Sequence, residues 1–306
     1  MQQLKLAYRA LRSSLRPLRS KARALHGTAL RGFTESQWRN RRAQQPHALP
    51  GPLVISLTSH PPRFATLALT LKCLLMQSVR ADRVVLWLAA ADVGRLPREV
   101  LELRDYGLEI RECAELGAFK KQVPALATWP DAFIATADDD VYYPRDWLLQ
   151  LTRAYDAGRA VIPCHRAHRI ALDASGVRPA PYANWRPARP GEASPLVFPT
   201  GVGGVLYPPS ALHGDALRRD IFQALCPTSD DAWVYWMASR NGWQFKRVSA
   251  RQFVCWPGSQ AVALQNANVA GENDRQILRL CTHYGFGAVK AMMPPDRAAT
   301  REAAQW

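Results

Sequence analysis

The chain has 306 residues, is 48% hydrophobic and 21% charged, and carries a formal net charge of +15. That length and apolar content allow a full buried core and exclude a disordered or low-complexity protein. No apolar run approaches the roughly 18 residues that cross a bilayer, so no integral membrane span is expected.

In chain order, residues 1–45 come first, with eleven Lys or Arg against one acid, Glu35, so ten of the fifteen net charges sit there. Leu4, Leu11, Leu15, Leu18, Ala22 and Leu25 recur at helical spacing, with Arg12, Arg16, Arg19 and Arg23 largely off that stripe. The pattern is a basic amphipathic helix, kinked or split at Pro17, suited to an anionic membrane surface. A disordered basic arm, a nucleic-acid contact and a transit peptide share the same composition.

After a Pro-rich joint at Pro46 to Pro52, Leu53–Thr58 reads as a buried strand, Phe64–Gln77 as a helix and Arg83–Ala89 as a second strand. Val100–Tyr106 looks helical, Leu108–Arg111 is a brief strand, Val123–Thr128 a short helix, and Ala132–Ala137 a strand. Helices over Trp147–Tyr155, from Thr228 to about Ser239 and from Asn273 to about Thr282 follow, with a strand at Ala160–Pro163. Strands alternating with helices predict an α/β fold with a mostly parallel central sheet, flanked by helices and followed by a loop-rich half. Ligands of such sheets collect beyond the carboxyl ends of the strands. The six cysteines are scattered without metal-like spacing, which predicts free thiols in a reducing compartment, hence a cytoplasmic protein, peripheral at the inner face of the membrane if the arm binds there.

Asp138, Asp139 and Asp140 close the fourth of these strands. Three adjacent carboxylates at the end of a buried strand call for a cation, and hard oxygen ligands suit Mg²⁺ or Mn²⁺. A solvated Asp-rich turn is the plain alternative. Arg63, after a Pro-Pro turn, and Lys120-Lys121 can grip phosphate or stand as surface charges. The Gly201, Gly203 and Gly204 loop lacks the setting of a phosphate-binding fingerprint, so its glycines serve close backbone approach or a tight turn. Asp230 and Asp231 open a helix, where the dipole favours their ionised form. His165, Arg166, His168 and Arg169 form a cationic cluster after a strand, expected to bind phosphate or another ligand group, or else to be a surface turn. Trp185, Trp233, Trp236 and Trp256 can stack on a ligand ring or fill the core.

Leu57-Thr-Ser-His-Pro-Pro-Arg63, Lys120-Lys121, Thr136-Ala-Asp-Asp-Asp-Val141, Gly201-Val-Gly-Gly204 and Ser229-Asp-Asp-Ala-Trp233 occur in the order seen in GT-A glycosyltransferases. The chain resembles a group of bacterial glycosyltransferase-like proteins of that superfamily over roughly residues 53–285. The resemblance implies a GT-A domain at 49–290 and leaves unexplained the basic amphipathic arm at residues 1–48 and the tail at 291–306. It also implies a Mn²⁺- or Mg²⁺-dependent, inverting transfer of a sugar, hexosyl in type, from a nucleotide-sugar donor to a glycan or lipid-linked acceptor, as in polysaccharide biosynthesis. By the same resemblance, Asp140 ligates the metal, Asp138 touches the ribose or a metal-bound water and Asp139 supports them, while His283 supplies a third metal ligand. Thr58 and Arg63 stand where base and diphosphate rest, one of Lys120 and Lys121 reaches the diphosphate, and Gly203 and Gly204 lie against the sugar. Asp231 becomes the acceptor base and Asp230 its support, with His165, Arg166 and Trp233 on the acceptor side. The family's acid pair begins with Glu, so the Asp-Asp here leaves the choice between the two open.

A nucleotidyltransferase or phosphatase could use the same acids. The first would want a Gly-rich loop after the first strand, and the second would place its nucleophile there. No nucleic acid is expected as partner, because the positive charge lies in the arm and not on an aromatic-laced face.

Overall fold

The computed structural model describes residues 16–259 and 271–287, and for 16–26 the backbone alone. Helix α1 (Arg16–Arg39) leads into strand β1 (Leu53–Thr58), then α2 (Phe64–Leu75), β2 (Arg83–Ala89), α3 (Ala90–Val93) and α4 (Arg98–Leu101), which continues as a 3₁₀ turn to Tyr106. Next come β3 (Leu108–Cys113), α5 (Val123–Thr128), β4 (Phe133–Ala137), β5 (Val141–Tyr142), α6 (Trp147–Arg153), β6 (Val161–Cys164) and β7 (Ala167–Arg169). The rest comprises β8 (Arg186–Pro187), β9 (Ala193–Ser194), β10 (Val197–Pro199), β11 (Val205–Tyr207), α7 (Arg219–Leu225), α8 (Asp230–Arg240), β12 (Gln244–Arg247), β13 (Val254–Cys255) and α9 (Asn273–Tyr284).

The main sheet orders its strands β3-β2-β1-β4-β11-β6-β12-β9. Neighbours β3/β2, β2/β1, β1/β4 and β6/β12 are parallel, while β11 runs against β4 and β6, and β9 against β12. Six of the eight strands therefore share one direction, and the expected α/β architecture forms. Alternation along β1 sends Leu53, Ile55 and Leu57 into the core beneath α2, where Phe64, Leu67, Leu71 and Leu74 repeat at helical spacing. Val54 faces the opposite core with Ile134, and α8 covers that face with Trp233, Trp236 and Met237. Each such side chain, fully buried, contributes about 1.5–3 kcal/mol of transfer free energy.

Antiparallel β11 decides where the site lies. Val205 opens the strand opposite both Thr136 near the end of β4 and Cys164 at the end of β6. The preceding loop, Gly201 to Gly204, is thus delivered to the carboxyl edge where β1, β4, β6 and β12 all finish. Two small sheets frame this edge: β10-β7-β8, and β13 paired with β5 immediately after the Asp run.

The helix α1 is described from Arg16 to Arg39, with Pro17 in its first turn, and the kink expected there involves the preceding residues, which lie outside the described ones. The Leu4 to Leu25 stripe lies outside the described residues except for the backbone of 16–25. From Gly27 on, α1 packs against the domain: Trp38 is buried against Tyr106 at 5.1 Å, and Glu35 pairs with Lys72 at 2.7 Å. A Cβ on Gly27 would fall 2.1 Å from Pro257, so the helix backbone rests directly on that proline. Among the described residues no helix is long and apolar enough to cross a membrane, and all six cysteines are free thiols.

Candidate active site

Two acid groups far apart in sequence meet at the carboxyl edge around one ammonium. Lys121, which ends a 3₁₀ turn (Gly117–Lys121) and has an 8% exposed side chain, places Nζ 2.8 Å from Asp138 Oδ1 and 3.0 Å from Asp230 Oδ2. The neighbouring Gln122 donates Nε2 to the same Asp230 oxygen at 3.0 Å. Burial pulls Lys121 downward, but Asp138, Asp230 and Asp231 outweigh it and hold the ammonium well above its usual range. Lys120 points elsewhere, to Glu115 at 2.7 Å.

The three acids of the run are held separately. Asp138 takes a fixed backbone position because its N–H donates to the Tyr143 hydroxyl at 2.8 Å. Asp139 accepts from Ser59 Oγ at 2.5 Å and pairs with Arg63 at 3.3 Å. Asp140 also pairs with Arg63, and its Oδ2 accepts from Ser259 Oγ at 3.3 Å. The Trp256 N–H fixes the Asp140 carbonyl at 2.8 Å, an extension of the β5/β13 pairing. Burial first, then opposed by Ser59 and Arg63, raises Asp139 to about 6. Burial and the Asp138 charge raise Asp140 to about 6, with Arg63 opposing. Burial, more than charge, thus favours the neutral form of both acids.

Helix α8 presents the second pair in its first turn, capped by Ser229 Oγ, which accepts from the Ala232 N–H at 3.4 Å. Asp231 Oδ1 accepts from the Gly201 N–H at 2.8 Å. Burial, reinforced by Asp230 and opposed by Lys121, raises the Asp231 carboxyl to about 7. A Cβ at Gly201 would lie 2.8 Å from Lys121 Nζ and 3.0 Å from Asp231 Oδ1, so a larger residue there would displace these two charged ends.

Several expectations from sequence need correction. His165 is fully buried, and its ring nitrogens are engaged by the Trp147 carbonyl and Ser249 Oγ, both at 3.0 Å, so it supports the loop from behind and does not meet an acceptor. Trp233 is a core residue whose Nε1 donates to the Ala216 carbonyl at 3.0 Å. Trp185, Trp236 and Trp256 are likewise buried. Gly203 and Gly204, with φ of +108° and +94°, pack on Phe253 and Trp147, and Gly201 is the loop glycine beside the acids. Thr58 commits its hydroxyl to the Trp87 carbonyl at 2.8 Å. His283 is exposed, its ring edge-on to Tyr284 at 4.4 Å, and no interaction links it to the Asp run. Ser59, Gln122, Tyr143 and Ser259 hold the acids and were not singled out from sequence, although Ser59 stands inside the first motif and Gln122 directly follows the lysines.

Among the described residues no group of three or more His, Cys, Asp or Glu forms a ready metal cage. The donor set still fits a divalent cation of the Mg²⁺ or Mn²⁺ kind, which takes one or two carboxylates and completes its shell with phosphate oxygens. The carboxylates of Asp138 and Asp140, which follow β4 directly, are of that type.

The fold and site define an α/β protein with two acid groups gathered on one lysine at the carboxyl edge of its sheet, beside a topological switch. No protein-family model matches the chain, and no curated protein matches it in sequence. Among solved structures, one similar chain is GalNAc-T7, crystallised with UDP, GalNAc and Mn²⁺, at 12% identity and TM-score 0.42 over 73% of this chain. This chain spans about half of GalNAc-T7, 48% of its length. Another is the mannosyltransferase PcManGT from Pyrobaculum calidifontis, in complex with GDP-Man and Mn²⁺, at 15% identity and TM-score 0.36 over 96% of this chain and 90% of that one.

Proposed function

We propose that the protein is a metal-dependent glycosyltransferase, moving a sugar from a nucleotide-diphosphate donor to a glycan or lipid-linked acceptor with inversion. The observation that carries the reading is the meeting of two acid groups on Lys121, with Asp138 at 2.8 Å and Asp230 at 3.0 Å. One group suits a leaving diphosphate, and the other suits an attacking hydroxyl.

In this reading Asp138 and Asp140 hold the cation, which when bound acts as a Lewis acid toward the departing diphosphate. Arg63 and Lys121, already at those carboxylates, present fixed positive charge where negative charge develops. Asp231 takes the proton of the acceptor hydroxyl. Its carboxyl, near 7, is matched to that task at neutral pH, and the Gly201 N–H on Oδ1 fixes its orientation. Asp230, held by Lys121 and Gln122, keeps the ammonium between the two halves. The basic arm, with ten of the chain's fifteen net charges, supports attachment to an anionic membrane.

A thermal-shift panel of UDP-, GDP-, CMP- and dTDP-sugars with and without Mn²⁺ tests the assignment. A rise that needs both the metal and one nucleotide is expected. No rise with any nucleotide, or the same rise in Asp138→Asn, overturns it.

A further inference from the structure

The carboxyl ends of β6 and β12 bring two arginines to the same edge as Asp231. Arg247 ends β12 in register with Cys164, the last residue of β6, and Arg166 follows two positions later. The consecutive amides of Thr200 and Gly201 then join the pieces: Thr200 N–H donates to the Arg166 carbonyl at 3.0 Å, and Gly201 N–H donates to Asp231 Oδ1 at 2.8 Å. Arg166 is thus one peptide unit across from the acceptor-side acid.

Every other cation near the acids has a carboxylate. Arg63 pairs with Asp139 and Asp140, Lys120 with Glu115, and Lys121 with Asp138 and Asp230. Among the described residues no carboxylate lies within ion-pair distance of Arg166 or Arg247. Both are half-buried, and Arg247 donates one guanidinium N–H to the Ala188 carbonyl while its buried Nε has no partner. Behind them His168 Nδ1 meets the Tyr182 hydroxyl at 3.0 Å. Burial first, then Arg166 and Arg247, depress His168 to about 4, so the imidazole is neutral and the positive charge of the group resides on the two guanidiniums. Two half-buried arginines without an acid carry a desolvation cost that an incoming anion would offset.

We propose that Arg166 and Arg247, with His168 and Tyr182, form an anion subsite for a phosphate or carboxylate substituent of the acceptor. The inference rests on Asp231 marking the acceptor side. A donor diphosphate has the same chemistry, but Lys121 and Arg63 already stand at Asp138 and Asp140 to receive it. The consequence is a selective enzyme: acceptors bearing a phosphate or a uronic carboxylate bind, and their neutral counterparts do not.

The test is titration of the full chain in EDTA with inorganic phosphate and with methyl glucuronide, alongside methyl glucoside as neutral control. Arg166→Gln is the variant, because among the described residues the Arg166 side chain makes no hydrogen bond or ion pair that holds the fold. At least one anion should bind the wild type, the glucoside should not, and Arg166→Gln should weaken the anion at least tenfold. Its response to the nucleoside diphosphate with Mn²⁺ should stay within twofold of wild type. Equal anion binding by wild type and Arg166→Gln overturns the subsite, as does a nucleotide response lost together with the anion response, which would make Arg166 a donor residue. Failure of the broader reading looks different, since the wild type would then show no nucleotide response at all.

Discussion

Asp231→Asn separates the electrostatics of the second acid pair from its shape. Asparagine keeps an oxygen for the Gly201 N–H and removes one buried negative charge. The wild-type carboxyl stands at about 7 against an ordinary 3.8, from burial first and Asp230 second. A folded value above the unfolded one means that stability is fully present below about pH 4 and is lost as pH rises through about 7. At about 1.4 kcal/mol per unit, the wild type loses on the order of 2–3 kcal/mol between pH 5 and 8 that the variant keeps. Asp139 and Asp140 also titrate near 6, but they do so in both proteins and cancel in the difference. For a domain of this size about 2–4 °C accompany each kcal/mol, so the Tm advantage of Asp231→Asn should widen by roughly 5–10 °C from pH 5 to 8. Melting curves in EDTA across that range measure it. A gap that stays constant with pH, or a wild type that gains on the variant toward pH 8, would refute the account of Asp231 as a buried, charge-opposed acid. The same substitution should lower sugar transfer by about 10²–10⁴, the usual worth of a general base.

Lys121→Met removes the ammonium from among Asp138, Asp230 and Asp231, and should destabilise the fold by about 3–5 kcal/mol at pH 8, read by urea unfolding, with a smaller loss at pH 5. Gly204→Ala would set a Cβ 2.5 Å from the Trp147 ring at a φ of +94°. Overpacking of about 1–3 kcal/mol and a left-handed backbone cost of about 1–2 kcal/mol should add, and near-native stability would contradict the packing described. Deleting residues 1–24 removes seven Lys or Arg and should cut co-sedimentation with phosphatidylserine vesicles at least about 100-fold, at roughly 1 kcal/mol per basic residue, while leaving Tm unchanged. Unaltered sedimentation would rule out the arm as the membrane contact.

Strands with strong apolar runs were legible in the sequence, two of them to the residue and those at Phe133–Ala137 and Val161–Cys164 to within one. Leu53–Thr58 and Arg83–Ala89 form as expected, and so does the short helix Val123–Thr128. Antiparallel β11 was not, because three residues inside a Gly- and Pro-rich stretch carry no period to read. Nor was the β5/β13 pair, whose two-residue strands owe their pairing to distant chain. The acid groups stood out because clustered carboxylates conflict with burial. His165 and Trp233 were misplaced for a related reason: a polar tip in a sequence looks the same whether its partner is a ligand or the carbonyls of Trp147 and Ala216. Ser59 and Gln122 passed unnoticed since small neutral groups acquire meaning only from the charge they touch.

The seat of α1 on Pro257 ties the start of the chain to its chemistry. Gly27 meets Pro257, the adjacent Trp256 amide holds the Asp140 carbonyl, and Ser259 holds its carboxylate. A displacement of α1 at Gly27 is therefore transmitted, through one short loop, to the backbone that carries Asp140. A substitution on the face of α1 that meets Pro257 thus acts at a distance on the acid run, although no described residue of that helix touches it.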